Sequence, residues 1–157
     1  LLDYGCGKAE FYEKEFTLDG INYPSFKKYW DINIDLYDPC FDKYNILNQN
    51  KKYDMVICID VLEHIPEEDV SSVLNLISGL SNKYILLNVA CYSAQALLPN
   101  GENAHITVKE PSWWYEKILE LIKIREHLKI ICNCTIYKDG KLKVFPLQFN
   151  DKINNYI

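Results

Sequence analysis

"MVICIDVLEHIPEEDVSSVLNLISGLSNKYILLNVA", residues 55–90, holds two apolar runs with a helical stretch between them. MVICI (55–59) and YILLNVA (84–90) are almost continuously apolar, as strands covered on both faces are. Pro66 suits the first position of a helix, and Glu67, Glu68 and Asp69 suit the positive end of its dipole. Val70, Val73, Leu74 and Ile77 recur at helical spacing, and Gly79 stands near the end. A strand, a helix and a second strand in that order predict parallel pairing, because the helix returns the chain to the edge it left.

The pattern continues outward. PSWWYEKILELIKI (111–124) again has Pro first and a helical apolar stripe. LKIICNCTIY (128–137), KDG and KLKVFPLQF (141–149) read as an antiparallel hairpin turning at Asp139-Gly140. Upstream, Leu1-Leu2 ends a buried strand in front of Gly5-Cys6-Gly7, and KAEFYEKEF (8–16) reads as the helix after that turn. INYPSFKKYW (21–30) reads as a loop with a helical turn, and DINIDLYD (31–38) alternates as a half-exposed strand does. A very short third strand is expected near Tyr44-Asn45-Ile46. The expected fold is therefore α/β and Rossmann-like. A mostly parallel sheet carries helices on both faces and ends in an antiparallel hairpin, all in one domain over residues 1–157. The chain opens without Met and inside its first strand, so preceding residues are expected.

Composition narrows the function. Seventeen basic against twenty-two acidic residues leave a net charge of −5 with no Lys/Arg stripe, which disfavours nucleic acid as a partner. No apolar run reaches about 18 residues, so no membrane span is expected. None of the six cysteines forms C-x-x-C, and Cys58, Cys132 and Cys134 lie within apolar runs. They read as buried thiols of a reducing cytoplasm rather than as disulfides or metal ligands.

Glycines directly behind a strand let the backbone approach a nucleotide-like ligand, although a plain tight turn has the same look. A dinucleotide fingerprint needs Gly or Ala where this chain has Glu10, and the acid expected about 20 residues later is absent, Asp38 coming further on. An acid, Asp3, ahead of a G-x-G-x-A turn fits S-adenosylmethionine (SAM), which carries no pyrophosphate.

LDYGCGKA (2–9), LYDP (36–39), YDMVICIDVLEHIP (53–66), the YILLNVA strand and the closing hairpin together resemble the class I SAM-dependent methyltransferases. More narrowly, the chain is similar to a bacterial and phage group carrying DYGCGKG, YDP, DVLEHIPEED and LPNGENAH, with Ala9 in place of a third glycine. The resemblance implies a seven-stranded-type sheet, SAM as cofactor and methyl transfer as activity. It implies that Gly5, Cys6 and Gly7 approach the methionine part of SAM and that Asp3 fixes that loop or the amino group. Asp38, before Pro39, would accept the ribose hydroxyls, with Asp31 or Asp35 in its place under another register. Asp60 and Val61 would wall the methionine end, and adenine would lie near Tyr44-Asn45-Ile46. Glu63 and His64 either cap the next helix or join the site.

Residues 90–114 form a long polar segment at the carboxyl edge of the sheet, the usual place of a binding loop. It offers Asn100, Glu102, Asn103 and His105, while Trp113 and Trp114 serve either as flat walls or as core. Pro99-Asn100-Gly101 supplies a turn that would aim His105 back at the site. His105, with His64 as second candidate, is the expected base for an oxygen or nitrogen acceptor, the acceptor being a small molecule or glycan. No metal ligand set is assigned. A rival reading takes Asp60, Glu63, His64 and His105 as similar to the metal-binding set of small-RNA 3′-end methyltransferases. Another takes the chain as a SAM-binding scaffold without catalysis.

Overall fold

The structure, a computed structural model, describes residues 1–150, so the end of the expected 1–157 domain lies outside the described residues. In chain order the elements are β1 (Leu2–Tyr4), α1 (Glu10–Glu13), β2 (Phe16–Leu18), β3 (Ile21–Tyr23), α2 (Phe26–Trp30), β4 (Asp35–Tyr37) and β5 (Tyr53–Ile59). A 3₁₀ turn (Leu62–His64), α3 (Glu67–Leu80), β6 (Ser81–Ala90), α4 (Pro111–Ile124), β7 (Lys129–Lys138) and β8 (Lys141–Phe149) follow. Six strands form the main sheet in the order β4-β1-β5-β6-β7-β8. The first five run parallel and β8 pairs antiparallel with β7, as the alternation of strands and helices predicts.

Strand alternation explains the core. Val56 and Cys58 of β5, Leu87 and Val89 of β6, and Cys132 and Cys134 of β7 are fully buried. They share one cluster with Val70 and Ile77 of α3 and Trp114 and Ile118 of α4, the stripes read from the sequence. Truncating one of these, as in Leu87→Ala, would cost about 2–5 kcal/mol. The opposite face carries Asp3, Ile57 and Ile131. There α1 sits, its Tyr12 hydroxyl donating to the Asp3 carboxylate. Farther along, that face is more open: Tyr84 and Ile131 are 45% and 38% exposed.

The β7–β8 turn is as expected, with Asp139 and Gly140 at φ 55° and 71°, the values a two-residue type I′ hairpin requires. The helix expected over KAEFYEKEF is short. It ends at Glu13, and the chain makes a second hairpin, β2–β3, through Asp19 (φ 50°) and Gly20 (φ 77°). Aromatic contacts favour that outcome: Phe16 stacks on Tyr23 at 5.5 Å between ring centroids and meets Phe26 edge-on at 4.8 Å. No strand forms at Tyr44-Asn45-Ile46. Local bonds hold that region in turns instead, Tyr44 N donating to Phe41 O at 2.8 Å and Asn50 N to Asn48 Oδ1 at 3.1 Å. Pro66 precedes α3 as its N-cap rather than opening it.

Candidate functional site

The turn after β1 is shaped by backbone bonds. Gly5 N and Cys6 N both donate to Tyr37 O, at 2.7 and 3.0 Å, tying the loop to the end of β4. Gly5 has φ +88°, and a Cβ there would lie 2.3 Å from Val61 Cγ2, so only glycine fits. Asp38 completes the loop. Its Oδ2 accepts from Gly7 N and its Oδ1 from Cys40 N, both at 2.8 Å, and each oxygen keeps a further lone pair. Across the loop, Asp60 sits in the left-handed region (φ 54°), its N donating to Asn88 O at 3.0 Å and its Oδ1 accepting from Asn88 Nδ2.

These residues open onto a cleft of about 700 Å³, within the range of small-ligand sites. Gly5, Gly7, Asp38, Pro39, Asp60 and Val61 line it, joined by His64 and by Asp69, Ser72 and Val73. Its walls carry three carboxylates and no Lys or Arg.

Two expected residues stand elsewhere. Asp3 is buried beneath the loop and does not line the cleft. Burial pushes its carboxyl up to about 6, the Tyr12 hydroxyl pulls it down, and Asp38 adds a smaller upward push. Cys6 lines a separate hollow with Tyr12 and Phe26, and burial, then the charges of Asp3 and Asp38, push its thiol up to about 12. Such a thiol is no nucleophile. Tyr44-Asn45-Ile46 lines no part of the main cleft, and Ile46 is 86% exposed. Trp114 is core, and Trp113 is flanked by the Lys109 and Lys117 ammonium groups.

A second cleft, about 850 Å³, adjoins the first, and His64 lines both. His105, Tyr92, Ser93, Gln95, Tyr137 and Leu142 form its walls. The segment after β6 is folded tightly enough to place His105. Asn103 holds Ala94 at both ends, Oδ1 accepting from Ala94 N and Nδ2 donating to Ala94 O, each at 2.9 Å. Gly101, at φ +86°, closes the expected turn, Gly101 N donating to Leu98 O at 2.9 Å. Thr107 then stitches the segment to the 3₁₀ turn, its N donating to Glu63 O at 2.9 Å and its Oγ1 to Ile65 O at 2.6 Å.

The imidazoles of His64 and His105 meet edge-on, 4.8 Å between centroids. His64 Nδ1 lies 2.8 Å from Ala104 O and His105 Nδ1 2.6 Å from Tyr92 O. A carbonyl only accepts, so each Nδ1 carries a proton and each neutral ring keeps its lone pair on Nε2. Glu63 is fully buried; its Oε1 accepts from Ala90 N at 3.0 Å and its Oε2 has no partner. Burial raises its carboxyl above the usual range, against the pull of its backbone hydrogen bonds.

Asn88 and Thr107 escaped the sequence reading. Asn88 left one signal, a polar residue inside the apolar run YILLNVA, which asks for a partner.

Residues 1–129 match the family model described as a methyltransferase domain. A 52-residue stretch is 35% identical to the magnesium-protoporphyrin O-methyltransferase of Synechocystis sp.. That stretch covers 33% of this chain and only 23% of the relative. No solved structure matches. Since the family match runs from β1 to the first residue of β7, taking in the glycine turn, Asp38 and both histidines, the chain belongs to the methyltransferase-domain family.

Proposed function

We propose that the chain transfers a methyl group from SAM to a hydroxyl of a small-molecule or glycan acceptor. One observation carries the reading: a glycine-turn cleft lined by Asp38, Asp60 and Asp69 without Lys or Arg. Such walls attract a ligand bearing a sulfonium and an ammonium and repel a pyrophosphate. The residues also fit the ribose, since both Asp38 oxygens can accept a further hydrogen bond. Family membership supports SAM as the donor. The relative named as an O-methyltransferase supports oxygen as the methylated atom.

When bound, SAM supplies a methyl carbon on a positively charged sulfur, which departs as a neutral thioether. The chain's residues do the rest. Tyr92 and Tyr137 offer flat rings, and Ser93 and Gln95 hydrogen-bonding groups, for a polar acceptor in the second cleft. His64, shared by both clefts, marks where the acceptor oxygen meets the methyl group. The hydroxyl proton leaves at the histidine pair, His105 Nε2 being the free base that receives it. Six unpaired thiols support a place in a reducing cytoplasm. No described helix is long and apolar enough to cross a membrane.

The test offers methyl-labelled SAM with panels of sugar nucleotides, glycan fragments and hydroxylated small molecules. Label on an acceptor oxygen is expected, and His105→Ala should slow it ~10²–10⁴-fold with donor affinity kept. Label on nitrogen alone would overturn the oxygen assignment. Saturable donor binding without turnover on any acceptor would favour the scaffold reading.

A further inference from the structure

We infer that the second cleft takes an uncharged sugar ring, already free of phosphate, and that Tyr137 and Leu142 of the closing hairpin select it. The inference rests on the methyl-transfer reading and narrows its acceptor. Tyr137 and Leu142 are cross-strand partners beside the β7–β8 turn, and both line the cleft. They are 62% and 58% exposed, an apolar pair left open on the side where an acceptor enters. Both lie beyond residues 1–129, so family membership does not supply this wall.

The wall is held at a fixed place against the loop after β6. Cys91 N donates to Thr135 O at 2.7 Å, and Thr135 Oγ1 donates to Val89 O at 3.0 Å. These bonds join the start of the loop to β7 two residues before Tyr137. Tyr92 follows Cys91, its ring 5.8 Å from the His105 ring and its carbonyl oxygen 2.6 Å from His105 Nδ1. Two tyrosine rings and the proposed base thus belong to one braced unit.

Charge excludes an anionic acceptor. Among the described residues the cleft wall has no Asp, Glu, Lys or Arg, and both histidines are neutral rings. The neighbouring cleft, reached past His64, adds Asp38, Asp60 and Asp69. A phosphate or carboxylate would find no cation here and three carboxylates nearby. The hairpin's own lysines turn away. Lys138 pairs with Lys141, and Ile136 with Lys143, so strand alternation puts them on the face opposite Tyr137 and Leu142.

Polar groups favour a sugar over a phenol. Tyr92, Ser93, Gln95 and Tyr137, with the two histidines, bring six hydrogen-bonding side chains to the wall. A pyranose has an apolar C–H face for a tyrosine ring or Leu142 and a hydroxylated rim for the polar groups. A phenol has few hydroxyls to answer them, and covering such groups without partners is costly. The cleft, about 850 Å³, lies toward the large end of small-ligand sites. In the reaction the hydroxyl oxygen takes the methyl carbon as the carbon–sulfur bond breaks with its pair on sulfur, and the hydroxyl proton passes to His105 Nε2. A glycosyl transfer that releases the nucleotide, or hydrolysis of a phosphate ester, therefore precedes methylation.

The test offers the chain methyl-labelled SAM with methyl glycosides of glucose, galactose and mannose, their 6-phosphates, the matching nucleoside-diphosphate sugars, and catechol. Saturation-transfer NMR of the same compounds, with S-adenosylhomocysteine present, reads binding apart from turnover. Neutral glycosides should bind, and kcat/KM for them should exceed that of each charged partner roughly tenfold or more. Tyr137→Ala and Leu142→Ala should each raise acceptor KM about 3- to 10-fold, leaving SAM affinity and melting temperature unchanged. Tyr137→Phe should restore KM, which a merely structural role would not predict. Equal use of phosphorylated or nucleotide-linked sugars, label on catechol alone, or no neutral glycoside bound at millimolar concentration would overturn the inference. With SAM bound and label transferred, those results leave methyl transfer standing. Glycoside binding without any SAM binding would overturn methyl transfer and keep the sugar cleft.

Discussion

Val61 stands so close to the α-carbon of Gly5 that a methyl group placed there would come within 2.3 Å of Val61 Cγ2. The turn after β1 and the turn after β5 thus interlock through one missing side chain, and the acid-lined cleft forms along that seam.

Gly5→Ala should therefore lower stability by about 2–4 kcal/mol, combining the left-handed backbone cost with overpacking. Adding Val61→Ala should restore the overpacking part while the cost of φ +88° remains. Urea unfolding of both single variants and the double variant reads the coupling. Purely additive effects would mean the two residues do not touch.

Ala9 occupies the left-handed region (φ 51°, ψ 31°) at the start of α1. Glycine adopts that conformation without the ~1–2 kcal/mol strain an L side chain carries there. The buried methyl offsets about 0.8 kcal/mol of the relief. Ala9→Gly should leave stability unchanged or raised by up to about 1 kcal/mol in chemical denaturation. A loss above 1 kcal/mol would contradict the observed backbone.

Asp3 makes stability depend on pH. Its carboxyl rises from 3.8 to about 6 on folding, so the folded state holds the proton more tightly than the unfolded one. Stability from this group is intact below pH ~4 and falls as pH rises toward ~6, by roughly 3 kcal/mol in all. Glu63, also raised, acts in the same sense. Asp3→Asn should flatten the Asp3 part, matching wild type near pH 4 and exceeding it at pH 7. Unfolding curves at both pH values check this, and parallel profiles would refute it.

Asp38 holds both Gly7 N and Cys40 N while keeping lone pairs for a ligand. Asp38→Ala should weaken donor binding by about 1.5–3 kcal/mol, or roughly 10- to 150-fold. Calorimetry on a folded variant with unchanged affinity would remove Asp38 from the site.

What the sequence made legible follows from the range of the forces involved. The apolar runs of β5, β6 and β7 and the stripes of α3 and α4 are local patterns, and the sheet assembled as they predict. Asp139-Gly140 was readable because long strands flank it. Asp19-Gly20 carries the same dipeptide, but the helix-forming EFYEKEF before it masks the hairpin, which aromatic contacts among Phe16, Tyr23 and Phe26 stabilise. The approach of His105 to His64 depends on Asn103 and Thr107 bonding to distant backbone, which no spacing records. Asp3 was read as fixing the glycine loop or the amino group, and its hydrogen bond with Tyr12 is a tertiary contact that no local pattern records.

The central claim is that the acid-lined cleft beside Gly5 and Asp38 binds a sulfonium methyl donor. Calorimetric titration of the chain with SAM tests it most directly, with ATP and NAD as competitors carrying phosphates. The account predicts one site per chain with micromolar-range affinity, roughly −8 kcal/mol, unaffected by either phosphate ligand. Absence of saturable SAM binding, or its displacement by ATP or NAD, would contradict the account.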